Sequence, residues 1–138
     1  MMFEIKGSKN KNHINQVNKK AVSGPTFPSP FRRSLVNFPF TDLQSSKVRP
    51  ALVLTTKGDD VIILGIFSKV PDNIRESRVK VDEVGPNFHL TGLKKTSILK
   101  TEKITVVHRS LIRKELGRLP SELMQQVKKT LLKTLEME

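Results

Sequence analysis

The stretch Phe38–Leu54, FPFTDLQSSKVRPALVL, decides how this chain of 138 residues is read. Its last four residues, Ala51-Leu52-Val53-Leu54, form an unbroken apolar run behind Pro50, the pattern of a strand buried on both faces. Ahead of them Thr41–Lys47 is polar and turn-forming and reads as a loop, and Leu35-Val36-Asn37-Phe38 reads as a short extended stretch that stops at Pro39. Downstream, Lys57-Gly58-Asp59-Asp60 is a turn, so the buried strand and Val61–Phe67 make a hairpin. Arg78-Val79-Lys80-Val81 alternates as a half-buried strand does, and Gly85-Pro86-Asn87 is a second turn. Ser97–Leu99 and Ile104–Val107 read as two more short strands. Leu111–Leu116 is a strand or a helical turn, and Gly117 breaks the chain after it. Pro120 suits the first position of a helix and Glu122 its positive end; Leu123, Val127, Leu131 and Leu135 then recur every four residues as one apolar stripe. The expected fold is mainly β (α+β): five or six short strands in a small barrel or strongly bent sheet, covered on one opening or face by a C-terminal helix.

Composition narrows the function. There are 25 Lys+Arg against 13 Asp+Glu, a formal charge of +12, and no cysteine. The charge points to a polyanion, which nucleic acid, an acidic protein or an anionic membrane surface would each supply. The missing cysteines exclude a disulfide framework, a thiol nucleophile and a cysteine zinc site. No apolar run approaches the roughly 20 residues that span a bilayer, and no apolar signal core opens the chain, so a cytoplasmic protein that does not span a membrane is expected. Residues 1–30 carry five Lys and one Glu, are rich in Asn, Ser and Pro, and show no sustained apolar period. They read as a disordered basic tail, either merely solvated or adding phosphate contacts, ahead of a folded domain over 31–138.

Two places could carry chemistry. Arg49 stands at the mouth of the buried strand, its backbone constrained by Pro50, beside a polar loop. A cation held there would grip a phosphate through two oxygens, or pair with a nearby carboxylate such as Asp42; the residues alone leave both open. In Ser97-Ile98-Leu99-Lys100-Thr101-Glu102-Lys103, alternation puts Lys100 and Glu102 on one side. Such a pair could serve as acid and base on a phosphodiester, or be a surface ion pair. His13, His89 and His108 have no metal-type spacing, so neither a metal nor another cofactor is expected.

The quoted stretch resembles the N-terminal signature of the PemK/MazF family of bacterial toxins: an extended strand, PFTD, a Ser-rich loop, a basic residue and RPALVL. Val61–Ser68 resembles that family's next strand, Gly92–Ser97 its following segment, Lys103-Ile104-Thr105 the stretch beyond, and Gly117-Arg118-Leu119 with the helix its closing part. The resemblance implies a small SH3-like barrel acting as a homodimer. It implies a toxin that cuts single-stranded RNA at short sequences without metal, the 2′-hydroxyl attacking the neighbouring phosphate, and that an acidic antitoxin silences by filling the RNA groove. DNA contact would arise through the antitoxin complex. The residues implied as catalytic are Arg49, which steadies the phosphate, Ser68, Lys100 and Glu102; Asp42, Ser45, Ser46, Lys47 and Lys69 are the expected RNA contacts.

Three positions depart from the pattern. Phe67 stands where a Thr is usual, the opening strand is short, and Lys100 and Glu102 replace Arg and Asp. Phe67 and the shortened opening strand support a second expectation, the same barrel kept for binding RNA or antitoxin after loss of catalysis. A DNA-gyrase poison on a related barrel is a third, and RPALVL argues against it.

Overall fold

Ala51, Leu52 and Val53 are fully buried, and they divide between two faces. Leu52 joins Leu35, Leu64, Ile66, Val79, Val81, Leu99, Leu119 and Val127 on one side. Ala51 and Val53 join Val36, Phe38, Val61, Ile63 and Ile112 on the other. Each fully buried aliphatic side chain contributes about 1.5–3 kcal/mol by leaving water, so this run anchors both halves of the core. The computed structural model describes residues 33–41 and 46–138. The tail expected over residues 1–30 lies outside the described residues.

Six strands form one antiparallel sheet: β1 (Ser34–Thr41), β2 (Ser46–Lys57), β3 (Asp60–Phe67), β4 (Arg78–Val81), β5 (Ser97–His108) and β6 (Lys114–Arg118), in the order β4-β5-β3-β2-β1-β6. The sheet curls into a half-barrel, and one helix, α1 (Ser121–Thr134), covers its larger apolar cluster through Leu123, Met124, Val127 and Leu131. The mainly-β class with a C-terminal helix is as expected. So are the β2–β3 turn, where Gly58 takes φ +62°, and the alternation of β4, where Val79 and Val81 are buried.

Four details differ from the expectation. β1 does not stop at Pro39; it is eight residues long, so the opening strand is not truncated. The carbonyl of Asn37 accepts from Arg113 on the outer side of β1, and Pro39, two residues on, turns its N position the same way, beyond the reach of β6. Pro50 likewise lies inside β2, one residue before the β2–β3 ladder begins at Ala51 and Gly65. The two strands expected at Ser97–Leu99 and Ile104–Val107 are one strand, β5, in which Lys100 pairs with Gly65 and Ile104 with Leu64, leaving residues 101–103 bulged from β3. Gly117 does not break the chain but lies within β6, and Pro120 is the N-cap, one residue before the helix.

Gly117 is where β6 meets the 3-10 turn Phe88–Thr91. A Cβ there would fall 2.2 Å from the Leu90 carbonyl oxygen and 2.6 Å from the Thr91 carbonyl carbon, so the two backbones touch. At Gly58, by contrast, a Cβ would meet nothing within 4 Å. Gly117→Ala should therefore destabilise the protein by about 3 kcal/mol or more, through backbone displacement. Gly58→Ala should cost only the left-handed strain, about 1–2 kcal/mol. Urea unfolding of both variants tests the packing; equal losses would contradict it.

Candidate functional site

β2, the end of β3 and the middle of β5 converge on two neighbouring cavities. The larger, about 440 Å3, is lined by Arg49, Phe67, Ser68, Lys69, Arg78 and Lys100, with Val70 and Pro71 at its edge. The smaller, about 220 Å3, is lined chiefly by Phe38, Arg49, Gly65, Phe67, Lys100 and Lys103. Arg49, Phe67 and Lys100 line both. Arg49 is half-buried on β2, opposite Phe38 of β1, and its pairing with β1, two residues before the β2–β3 ladder begins, fixes its Cα. Among the described residues, none that lines either cavity is a carboxylate. A concave site with several cations and no internal counter-charge attracts an anion with phosphate-like oxygens.

The bulge in β5 organises the rim. Thr101 is fully buried; its N–H and its hydroxyl both donate to the Ser77 carbonyl, at 3.0 and 2.6 Å. Its neighbour Glu102 accepts from the Ser77 hydroxyl on Oε1 at 2.9 Å, and from Arg78 Nε and Nη2 on Oε2 at 3.0 and 2.8 Å. Burial works against the Glu102 charge, but its own backbone N–H, Arg78 and Ser77 outweigh that and hold the carboxyl below the usual range. Arg78, thus fixed, lines the larger cavity. Lys100 is half-buried and pairs with Gly65 on one side and Arg78 on the other. Desolvation and then the Arg78 charge push its pKa below the ordinary lysine value; Glu102 opposes this, and Lys103 and Arg75 add to it. A lysine so placed is a stronger acid than an ordinary lysine.

Of the residues singled out in the sequence, Arg49, Ser68, Lys69 and Lys100 meet at the larger cavity. Glu102 reaches the same group through Arg78, and its described hydrogen bonds go to Ser77 and Arg78. Lys47 is exposed on β2; Ser46 lies on the same strand, opposite Thr41. Asp42 and Ser45 lie outside the described residues, so the alternative pairing of Arg49 with Asp42 does too. Sequence reasoning missed Ser77 and Arg78, which sit 25 and 24 residues from Glu102 with no local signal linking them. Among the described residues, no three His, Asp or Glu side chains gather as a metal would require, and no helix is long and apolar enough to cross a membrane.

A small antiparallel half-barrel with one C-terminal helix is shared with solved toxin structures. An endoribonuclease bound to its cognate antitoxin, from a mycobacterial species, superposes with a TM-score of 0.62 at 16% identity, covering 80% of this chain and 98% of that one. The toxin MazF-mt6 of Mycobacterium tuberculosis gives 0.61 at 16% identity, covering 77% and 99%. A MazE–MazF complex from Deinococcus radiodurans gives 0.59 at 20% identity, covering 78% and 96%. These likenesses establish the fold. No curated protein sequence matches the chain significantly. Residues 34–135 match the family described as PemK-like, MazF-like toxin of type II toxin-antitoxin system, and the chain belongs to that family.

Because the Glu102 carboxyl is held below its ordinary value of 4.5, its pairing with Arg78 contributes stability that is full above that value. That contribution is lost as pH falls further, through the depressed folded-state value. Wild-type stability measured in urea should thus decline below about pH 4.5, and Glu102→Gln should be less stable at pH 7 while losing part of that acid dependence. An acid limb of the same slope in both proteins would show that the pair contributes nothing.

Proposed function

We propose that this chain is the toxin of a toxin–antitoxin pair and acts as a metal-independent endoribonuclease on single-stranded RNA. The observation that carries this reading is the meeting of Arg49 and Lys100, the latter with a lowered pKa, in two cavities that share both residues. A scissile phosphate seated between them would find its developing negative charge met by cations already in place, which favours the transition state over the ground state. In the proposed step the 2′-hydroxyl attacks the adjacent phosphorus, the P–O5′ bond breaks, and a 2′,3′-cyclic phosphate and a 5′-hydroxyl result. Arg49 grips the non-bridging oxygens. Lys100 protonates the departing 5′-oxygen. Glu102 is the carboxylate whose charge reaches Lys100, and we assign it the 2′-hydroxyl proton through Oε1, the oxygen not held by the guanidinium. To Ser68, which lines the larger cavity, we assign a bond to the phosphate, and to Lys69 beside it, with Asp42, Ser45, Ser46 and Lys47 by the family resemblance, contacts to the RNA strand beyond.

The same cationic site suits an acidic antitoxin, which would exclude RNA by occupying it; DNA contact would come through that complex. Exposed Val48, Ile104 and Val106 leave apolar surface that a second copy would cover, so the working state is a cytoplasmic homodimer. One observation favours a second reading, a binding module without cleavage: Phe67 presents a ring, not a hydroxyl, to both cavities.

Purified protein should cut single-stranded RNA in excess EDTA and spare the same sequence with 2′-deoxyribose at the scissile position. Cleavage that requires Mg2+, or that takes both substrates alike, overturns the mechanism. Arg49→Ala should lower the rate about a hundred- to a thousandfold with the fold intact, and Arg49→Lys should restore only part, because an ammonium cannot grip two oxygens. If activity falls only in step with melting temperature, Arg49 is structural. If the wild type binds single-stranded RNA or an acidic partner tightly without cutting, the binding-module reading replaces this one.

A further inference from the structure

Phe67 carries no group that can move a proton, yet it lies at the centre of the candidate site. The reason is in the register. Lys100 of β5 sits directly opposite Gly65 of β3, and Phe67 is two residues further along the same face, diagonal to Lys100. Gly65 has no side chain to fill the space between them. A Cβ on Gly65 would fall 2.9 Å from Cε1 and 3.1 Å from Cζ of Phe67, so the outer edge of the ring occupies the space that any larger residue would need. The Lys100 ammonium stands over that ring, 4.2 Å from its centroid, well within the distance at which the negative face of an aromatic ring attracts a cation.

We propose that Phe67 is a positioning residue: its ring, seated on Gly65, holds the Lys100 ammonium at the boundary of the two cavities, next to Arg49. The inference rests on the catalytic reading for its use but not for its geometry. A lysine on a flexible four-carbon stem has many rotamers, and the charges around this one mostly repel it. Arg78 on β4, Arg75 before it, Lys103 on β5 and Arg49 on β2 are all cationic, and Glu102 is the counter-charge. Left to that field, the ammonium would swing toward solvent. The ring supplies the attraction that keeps it inward, and it does so without a carboxylate that would repel the phosphate. Gly65 belongs to the same device, since any larger residue lifts the ring.

The test separates an attracting ring from a merely apolar wall. Leucine keeps the wall and loses the π face. If the ring attracts the charged form, Phe67→Leu should lower the Lys100 pKa further, by about half a unit to one and a half units, read from its side-chain NMR titration in the free protein. Phe67→Tyr keeps the face and should retain the wild-type titration. Gly65→Ala should shift it in the same direction as Phe67→Leu, and the two changes combined should not add, because both remove one contact. On RNA, Phe67→Leu should lower kcat several-fold to about tenfold, leave KM unchanged, and move the alkaline limb of the pH profile to lower pH. An unchanged titration in Phe67→Leu, or an equal shift in Phe67→Tyr, overturns the proposal. Should Phe67→Leu fail to fold, the Tyr and Gly65→Ala titrations decide it. If the wild type does not cut RNA, the catalytic reading falls and the titrations alone still judge the ring.

Discussion

The three residues at which β5 leaves its partner, Thr101 to Lys103, set the conditions for the rest of the molecule. Thr101 turns inward and clasps the Ser77 carbonyl, while its hydroxyl lies 2.6 Å from that of Thr134 on α1. Glu102 turns to the other side and closes on Ser77 and Arg78. One irregularity thereby joins the edge strand β4, the central strand β5 and the end of the helix. Without it the sheet would continue flat past Leu64, and the helix would have no fixed point at its C-terminal end. Bulges sharpen the local twist, and two smaller register shifts, at Val53/Thr55 and at Leu35/Val36, carry the bend along the sheet.

The same irregularity explains the electrostatics of the cavities. A regular strand would have set Lys100 and Glu102 side by side, neutralising each other. Here the carboxylate is drawn to Arg78, the lysine stands over an aromatic ring, and the charges are sorted instead of paired. The result is a surface of cations with Glu102 set back behind a guanidinium. Such an arrangement costs stability through mutual repulsion, and the sheet tolerates it because the apolar clusters on both faces are well filled.

Local signals made most of the fold legible. The β2–β3 hairpin is marked by Gly58 between two apolar runs, β4 by a clean alternation, and α1 by aliphatic residues at every fourth position. What stayed hidden depends on partners far along the chain. Pro39 reads as a strand end until one sees that β6, far along the chain, stops short of it. The polar run Lys100–Lys103 reads as a gap between strands because a bulge places its side chains off the alternation. Of the site, the resemblance supplied Arg49, Ser68, Lys100 and Glu102 as a set, and the cavity gathers them or their immediate partners. Arg78 was invisible as a site residue, since nothing near it in sequence speaks of a carboxylate on another strand. The helix start was misread by one residue, a small error, because proline serves equally at the cap and at the first turn.

The sheet order has a temporal meaning as well. β1, made first among the described strands, lies between β2 and the last-made β6, and Arg33 is bonded to Leu119 across 86 residues. The hairpin of β2 and β3 closes locally and fast, whereas the β1–β6 seam waits for distant ends to meet, the slow kind of contact in folding. Leu119 and Val127, which complete the larger apolar cluster, come later still. During synthesis every strand that bears the candidate site thus precedes the segment that seals the core. The nascent chain passes through an interval in which its basic, half-open sheet is exposed to the crowded surface of the ribosome, and the final turns of the helix bring that interval to an end.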